Sequence, residues 1–132
     1  MNEPSPATTA ANDAVHRALP FDDTTDFELA QRGFLAGLPD AVTAADGRAV
    51  WEPHKFDFVT GDAPATVHPS LWRQEQLNGI GGLFEVVDGI YQVRNLDLSN
   101  ISFIRGETGW IVLDPLITDE VAAAALELVN TH

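Results

Sequence analysis

The stretch that decides the fold runs from Leu83 to Leu116 and reads LFEVVDGIYQVRNLDLSNISFIRGETGWIVLDPL. Its apolar and β-branched runs, separated by turn signals, predict four short strands: Leu83–Val87, Ile90–Arg94, Ile101–Arg105 and Trp110–Leu113. Asp88-Gly89 indicates a two-residue hairpin, whose type I′ turn needs positive φ at both positions. The stretch therefore predicts a cluster of strands joined by turns.

Asp114 is the carboxylate that this cluster singles out. It follows Ile-Val-Leu on a strand expected to be buried, and Pro115 then ends the strand because proline cannot donate to the sheet. Ligands of open α/β sheets gather where strands leave the sheet, so a functional role is one interpretation. The other is a structural role, in which the carboxylate caps its own backbone. Asp88 is explained by its turn, and Asp97 is expected in a loop.

Composition narrows the class of protein. The 132 residues suffice for one domain with a modest core. A formal net charge of −13 argues against nucleic acid or an anionic membrane as a partner, because both would repel the chain. No cysteine is present, which excludes disulfides and thiolate metal sites. Without a signal peptide or a long apolar segment, we expect a soluble, cytoplasmic protein.

The rest of the chain predicts helices around the strand cluster. Residues 1–20 are poor in large apolar side chains and are expected to form a flexible arm. The further predicted elements are a helix at 21–38 with Phe27 and Phe34 on one face, a hairpin of Val42-Thr43 with 49–51, a helix at 68–79 capped by Ser70 and closed by a left-handed residue at Asn78-Gly79, and a helix at 120–130 capped by Thr118 or Asp119. The last helix is so apolar that we expect it to be buried on more than one side. No strand follows it, which predicts the opening portion of an α/β fold.

The common catalytic motifs are absent from the sequence. Gly79-Ile80-Gly81-Gly82 precedes a strand and opens no helix, which is the wrong context for phosphate binding. No His-x-His, His-Glu-x-x-His or Gly-x-Ser-x-Gly occurs, and neither His54 nor His68 has a second histidine nearby, so no metal role is assigned to them. From the residues alone, the chain is an acidic α/β piece with no catalytic residue and no metal ligand.

Several segments taken together resemble the amino-terminal part of the alkyl sulfatases, zinc hydrolases of the metallo-β-lactamase superfamily. They are Asp26-Phe27 through Arg32-Gly33-Phe34-Leu35, PSLWRQ at 69–74, GLFEV at 82–86, DGIYQVR at 88–94, DLSNI at 97–101 and WIVLDPL at 110–116. The 69–74 and 88–94 segments look specific to that group, whereas IVLDP is shared by the wider superfamily. The sequence departs at His68 and Gly81, where Asn and His are expected.

The resemblance implies a partial metallo-β-lactamase-like fold, comprising its opening strands and first crossover helix, with an extended helical amino-terminal arm. In domain terms it implies an extension at 21–82 and a truncated first part of the catalytic domain at 83–132. The family enzyme uses two zinc ions, hydrolyses alkyl sulfate esters and is a homodimer. Its His-x-His-x-Asp-His motif would lie beyond this chain, which is therefore expected to be inactive alone. Asp114 would support the metal site without binding metal.

Two alternatives stay open. One is a fragment of another metallo-β-lactamase-fold hydrolase, acting on a thioester or lactone. The Trp-Arg-Gln segment at 72–74 speaks against it, because it lies outside the shared catalytic fold. The other is a stand-alone, non-enzymatic interaction module that docks a partner through an exposed sheet edge.

Overall fold

The structure is a computed structural model that describes residues 3–132. Its helices are α1 (Pro6–Ala18), α2 (Thr25–Gln31), α3 (Pro69–Asn78) and α4 (Asp119–Thr131), with a 3₁₀ turn at Pro53–Phe56. Its strands are β1 (Phe34–Ala36), β2 (Val42–Thr43), β3 (Ala49–Trp51), β4 (Gly82–Val87), β5 (Ile90–Arg94), β6 (Ile101–Arg105) and β7 (Trp110–Leu113). The predicted mixed α/β class is confirmed, and so are the four predicted strands, β4 to β7, the first of which begins one residue earlier.

The main sheet has the order β1-β4-β5-β6-β7, and every neighbouring pair is antiparallel. The short connections between β4 and β7 place consecutive strands side by side, as hairpin connections do. The predicted hairpin of β2 and β3 is also confirmed and forms a separate two-stranded sheet. Within residues 3–132, β7 is thus an edge strand paired only with β6.

The core lies between α4 and one face of the main sheet. Val121, Ala125 and Val129 recur every four residues along α4 and are buried, as expected for one apolar helix stripe. They join a cluster of buried sheet and loop residues: Leu83, Val93, Leu96, Ile101 and Phe103. The opposite side of α4 exposes Leu126, so the prediction that this helix is buried on more than one side is wrong. The buried valines and alanine of α4 all lie on the one face that packs against the sheet.

The expectation of a purely flexible arm at 1–20 needs correction, because Pro6–Ala18 form helix α1. The Ser5 hydroxyl accepts a hydrogen bond from the Thr8 amide at 3.1 Å, and Pro6 opens the first turn. Asn12 then anchors the helix by donating to the Ala65 and Val67 carbonyls at 3.1 and 3.2 Å. These polar contacts replace the apolar burial whose absence suggested a flexible arm.

The helix predicted over 21–38 is wrong in its second half, since α2 ends at Gln31 and β1 begins at Phe34. Gly33 lies between them with φ +78°, and its carbonyl accepts the Glu85 amide at 2.8 Å. A Cβ at Gly33 would collide with the Glu85 carbonyl, so close pairing with β4 requires glycine here. Pairing with the sheet has overridden the helical spacing of Phe27 and Phe34.

Helix ends and one turn also differ from their predictions in detail. Helix α3 occupies the predicted segment, but His68 and not Ser70 is its N-terminal flanking residue, with no side-chain cap, and Gly79 is right-handed. Thr118 does cap α4, accepting from the Val121 amide. In the turn between β4 and β5 Gly89 has φ +77° whereas Asp88 does not have positive φ, so the hairpin is confirmed but its turn is not type I′.

Candidate functional site

Asp97 is the polar centre of the sheet end where β5, β6 and β7 meet their loops. It is the buried polar residue of the described chain, with 9% of its surface exposed. Its carboxylate accepts the Leu98 amide at 2.6 Å and the Ile117 amide at 2.7 Å. One bond orders its own loop, and the other reaches across to the segment after β7. Because both bonds pair backbone N–H groups with a charged acceptor, they are of the stronger kind.

The segment that Asp97 holds carries the predicted site residue. Asp114 follows β7 directly at the sheet end, and it and Leu116 have φ of 54° and 70°. Non-glycine residues rarely adopt such values unless their surroundings fix them, and they recur at functional loops. The Asp114 side chain is exposed. The expectation that it leaves a buried strand is wrong, since Ile111 to Leu113 are exposed too.

Arg94 is a partly buried cation next to this loop. Its guanidinium lies 4.2 Å from the centre of the Phe84 ring, donates to the Gln92 side-chain oxygen at 2.7 Å and donates to the Ala30 carbonyl at 3.1 Å. Burial lowers the pKa of the Arg94 guanidinium, which nevertheless stays charged at neutral pH. The three contacts join α2 to β4 and β5. They give the side chain a structural role.

A cleft of about 470 Å³ opens between the Arg94–Asn100 segment and helix α3. Its lining includes Trp51, Asn78 and Asp97. The Trp51 indole N–H donates to the Asn95 carbonyl at 3.1 Å, which fixes the rim, and Asn95 itself has φ +62°. Aromatic, amide and carboxylate groups line this cleft together with the Arg94 guanidinium. Because groups of both charge signs are present, the cleft suits a polar group and shows no preference for one charge.

The histidines lie apart from this region. His54 contacts Asp57 at 3.0 Å on the surface, and both side chains are more than half exposed. Within residues 3–132, no three histidine or carboxylate side chains come close enough together to hold a metal ion. The described part of the chain therefore does not fit a zinc site.

Sequence reasoning placed Asp114 at the end of a strand, where the structure has it, and missed the structural role of Asp97. Asp-Leu-Ser-Asn looks like an ordinary polar loop, and only the fold shows that the Ile117 amide lies within its reach. The available signal was Leu96, a large apolar residue beside Asp97 that is fully buried and draws the loop into the core.

The chain is similar to known alkylsulfatases, although no protein-family model matches it. The linear primary-alkylsulfatase of Pseudomonas sp is 54% identical over 129 residues, which are 96% of this chain and 19% of that protein. The alkyl/aryl-sulfatase BDS1 of Saccharomyces cerevisiae is 46% identical over 132 residues, covering 98% of this chain and 20% of the relative.

A solved structure agrees with these relatives. The stereoselective inverting sec-alkylsulfatase Pisa1 from Pseudomonas sp. superposes with a TM-score of 0.91 at 45% identity, over 99% of this chain and 21% of that chain. The resemblance to the amino-terminal part of an alkylsulfatase is thereby confirmed. The chain spans about a fifth of the length of the relatives it matches.

Proposed function

We propose that this chain is the opening part of a zinc-dependent alkylsulfatase, which hydrolyses alkyl sulfate esters to an alcohol and sulfate. The observation that carries the proposal is the 54% identity to a linear primary-alkylsulfatase over nearly the whole chain. Two further relatives, named as an alkyl/aryl-sulfatase and an (R)-specific secondary-alkylsulfatase, support the same reaction class at 46% and 45% identity. None of the three is named as a thioester or lactone hydrolase.

A metallo-β-lactamase-like catalytic domain is part of the proposal, as are the homodimer and the cytoplasmic location. The shared Ile-Val-Leu-Asp-Pro segment at 111–115 supports the domain. The charge of −13 favours partners other than nucleic acid and anionic lipid. As a separate finding, none of the helices in residues 3–132 is long and apolar enough to cross a membrane.

The contribution of this chain is positional. Asp97 fixes the loop after β7, and that loop presents Asp114 at the sheet end. We propose that Asp114 supports the metal site by hydrogen bonding and does not bind metal itself. Because residues 3–132 bring together no metal-binding cluster, the metal ligands would come from the remaining four-fifths of the enzyme, and the chain alone would not be competent.

Sulfate release from dodecyl sulfate tests the proposal. The 132-residue chain should release none, whereas a longer in-frame product that carries this chain should release sulfate, lose activity to a chelator and regain it with zinc. An in-frame His-x-His-x-Asp-His downstream would support the metal site. Chelator-sensitive hydrolysis by the short chain would overturn the claim that it is not competent. An inactive, folded longer product would overturn the sulfatase assignment.

A further inference from the structure

Leu98 and Ile117 are two apolar residues that the fold holds in solvent at one end of the main sheet. Leu98 is 81% exposed and Ile117 is 65% exposed. Their backbone amides donate to the same carboxylate, that of Asp97, at 2.6 and 2.7 Å. Single exposed apolar residues are common on protein surfaces. These two differ because one buried carboxyl group fixes the position of both backbone segments.

Each of the two exposed residues follows a leucine that anchors its segment in the core. Leu96 is fully buried and lies two residues before Leu98. Leu116 packs against the core cluster and directly precedes Ile117. Leu116 also has φ +70°, which a non-glycine residue rarely adopts unless its surroundings fix it, and such strained residues cluster at ligand-binding and active sites. The exposure of the two apolar side chains is therefore built into anchored backbone.

We propose that Leu98 and Ile117 contact the alkyl group of the substrate and set the preference for its length in the alkylsulfatase that contains this segment. The inference rests on the proposed function, since the substrate is the alkyl sulfate ester of that reaction. An alkyl sulfate has an anionic end and an apolar alkyl group. The Asp97 carboxylate and the net charge of −13 disfavour the anionic end here, whereas two exposed apolar side chains suit the alkyl group.

The position of the pair also fits an alkyl group. Ile117 lies three residues after Asp114, which we propose supports the reacting site. In an alkyl sulfate the ester oxygen joins the sulfur directly to the first carbon, so the alkyl group begins beside the reacting centre. Leu98 shares a cleft with the aromatic side chains of Trp51 and Phe56, which offer further apolar surface to a longer alkyl group.

Binding of unreactive substrate analogues tests the contact. Alkanesulfonates keep the anionic end but have a carbon–sulfur bond in place of the ester, so a sulfatase does not hydrolyse them. Calorimetry gives the affinities of the longer in-frame product that carries this chain for ethanesulfonate, which is too short to reach both side chains, and for decanesulfonate. Leu98→Ala and Ile117→Ala should each lower the ratio of the decanesulfonate affinity to the ethanesulfonate affinity about five- to tenfold, because apolar contact with the methylene groups is lost.

Two further variants serve as controls. Leu98→Met keeps a long apolar side chain and should retain the affinity ratio of the parent. Leu71→Ala is the matched control, because Leu71 is 63% exposed on α3, and it should leave the ratio unchanged. Circular dichroism checks that every variant is folded.

The outcomes separate this inference from the proposed function. An unchanged ratio in both Leu98→Ala and Ile117→Ala, or equal affinities of the folded parent for the two sulfonates, would overturn the contact. An equal loss of affinity for both sulfonates would show a merely structural role, and an equal fall of the ratio in Leu71→Ala would show nonspecific binding of amphiphiles; either result also overturns it. Sulfate release is assayed separately, so a product that shows the expected ratios but releases no sulfate counts against the function and leaves the contact standing.

Discussion

Replacing Asp97 with alanine removes both hydrogen bonds that join the two loops at the sheet end. A hydrogen bond between backbone and a charged group contributes about 1.5–3 kcal/mol, which gives about 3–6 kcal/mol for two. Leu98 and Ile117 are 81% and 65% exposed, so water can reach the freed amides and the lower end applies. We therefore expect Asp97→Ala to lower the free energy of unfolding by about 3 kcal/mol.

Asp97→Asn separates the two bonds, because a carboxamide keeps one acceptor oxygen and turns its NH₂ toward the other amide. It should cost about half as much, roughly 1.5 kcal/mol. Urea unfolding followed by circular dichroism gives both values, and hydrogen exchange of the Ile117 amide reports the long-range bond directly. Asp62→Ala, an exposed aspartate in a bend, is the control and should stay within about 0.5 kcal/mol of the parent.

Equal stability of Asp97→Ala and Asp62→Ala would refute this reasoning. So would unchanged exchange of the Ile117 amide, since that amide donates to Asp97 in the fold. A change in the slope of unfolding free energy with urea would point to an altered denatured state instead.

Three further predictions follow from other contacts. Gly33→Ala should destabilise the fold by about 2–4 kcal/mol in urea unfolding, because the residue has positive φ and its new Cβ would collide with β4. The control Gly47→Ala has φ +84° but lies in open space, so it should cost only about 1 kcal/mol. Equal costs for the two variants would contradict the collision. Arg73→Lys should lower the free energy of unfolding by about 0.5–1 kcal/mol, because lysine cannot both pair with the Asp26 carboxylate and donate to the Asp23 carbonyl. An unchanged melting temperature would show that the two-pronged guanidinium contact is dispensable. Hydrogen bonds from Thr25 lower the pKa of Asp23, so this aspartate stabilises the folded chain above its unfolded pKa and the contribution is lost as the pH falls through the lowered value. In an NMR titration, the chemical shift of the Thr25 amide should change with pH around that lowered pKa, and this change should be absent in Asp23→Asn. A midpoint at the usual aspartate pKa would disprove the hydrogen bond between Thr25 and Asp23.

The strands of the main sheet could be predicted from sequence because their signals are local. Alternating and β-branched runs separated by Asp-Gly and Gly-rich turns define β4 to β7 almost to the residue. The failures lie where distant contacts decide. Phe34 lies in β1 and pairs with Phe84 of β4, although its spacing from Phe27 is helical. Helix α1 is anchored by the Asn12 side chain, which donates hydrogen bonds to carbonyls more than 50 residues away. Neither partner is visible from within its own segment.

The same distinction explains the candidate site. The position of Asp114 could be predicted because its neighbours mark the end of a strand, but its exposure depends on β7 being an edge strand. Asp97 needed the fold, because its partner amide at Ile117 is 20 residues away. A loop rich in Asp, Ser and Asn is compatible with many structures. Its carboxylate becomes buried and bonded because the segment after β7 passes beside it.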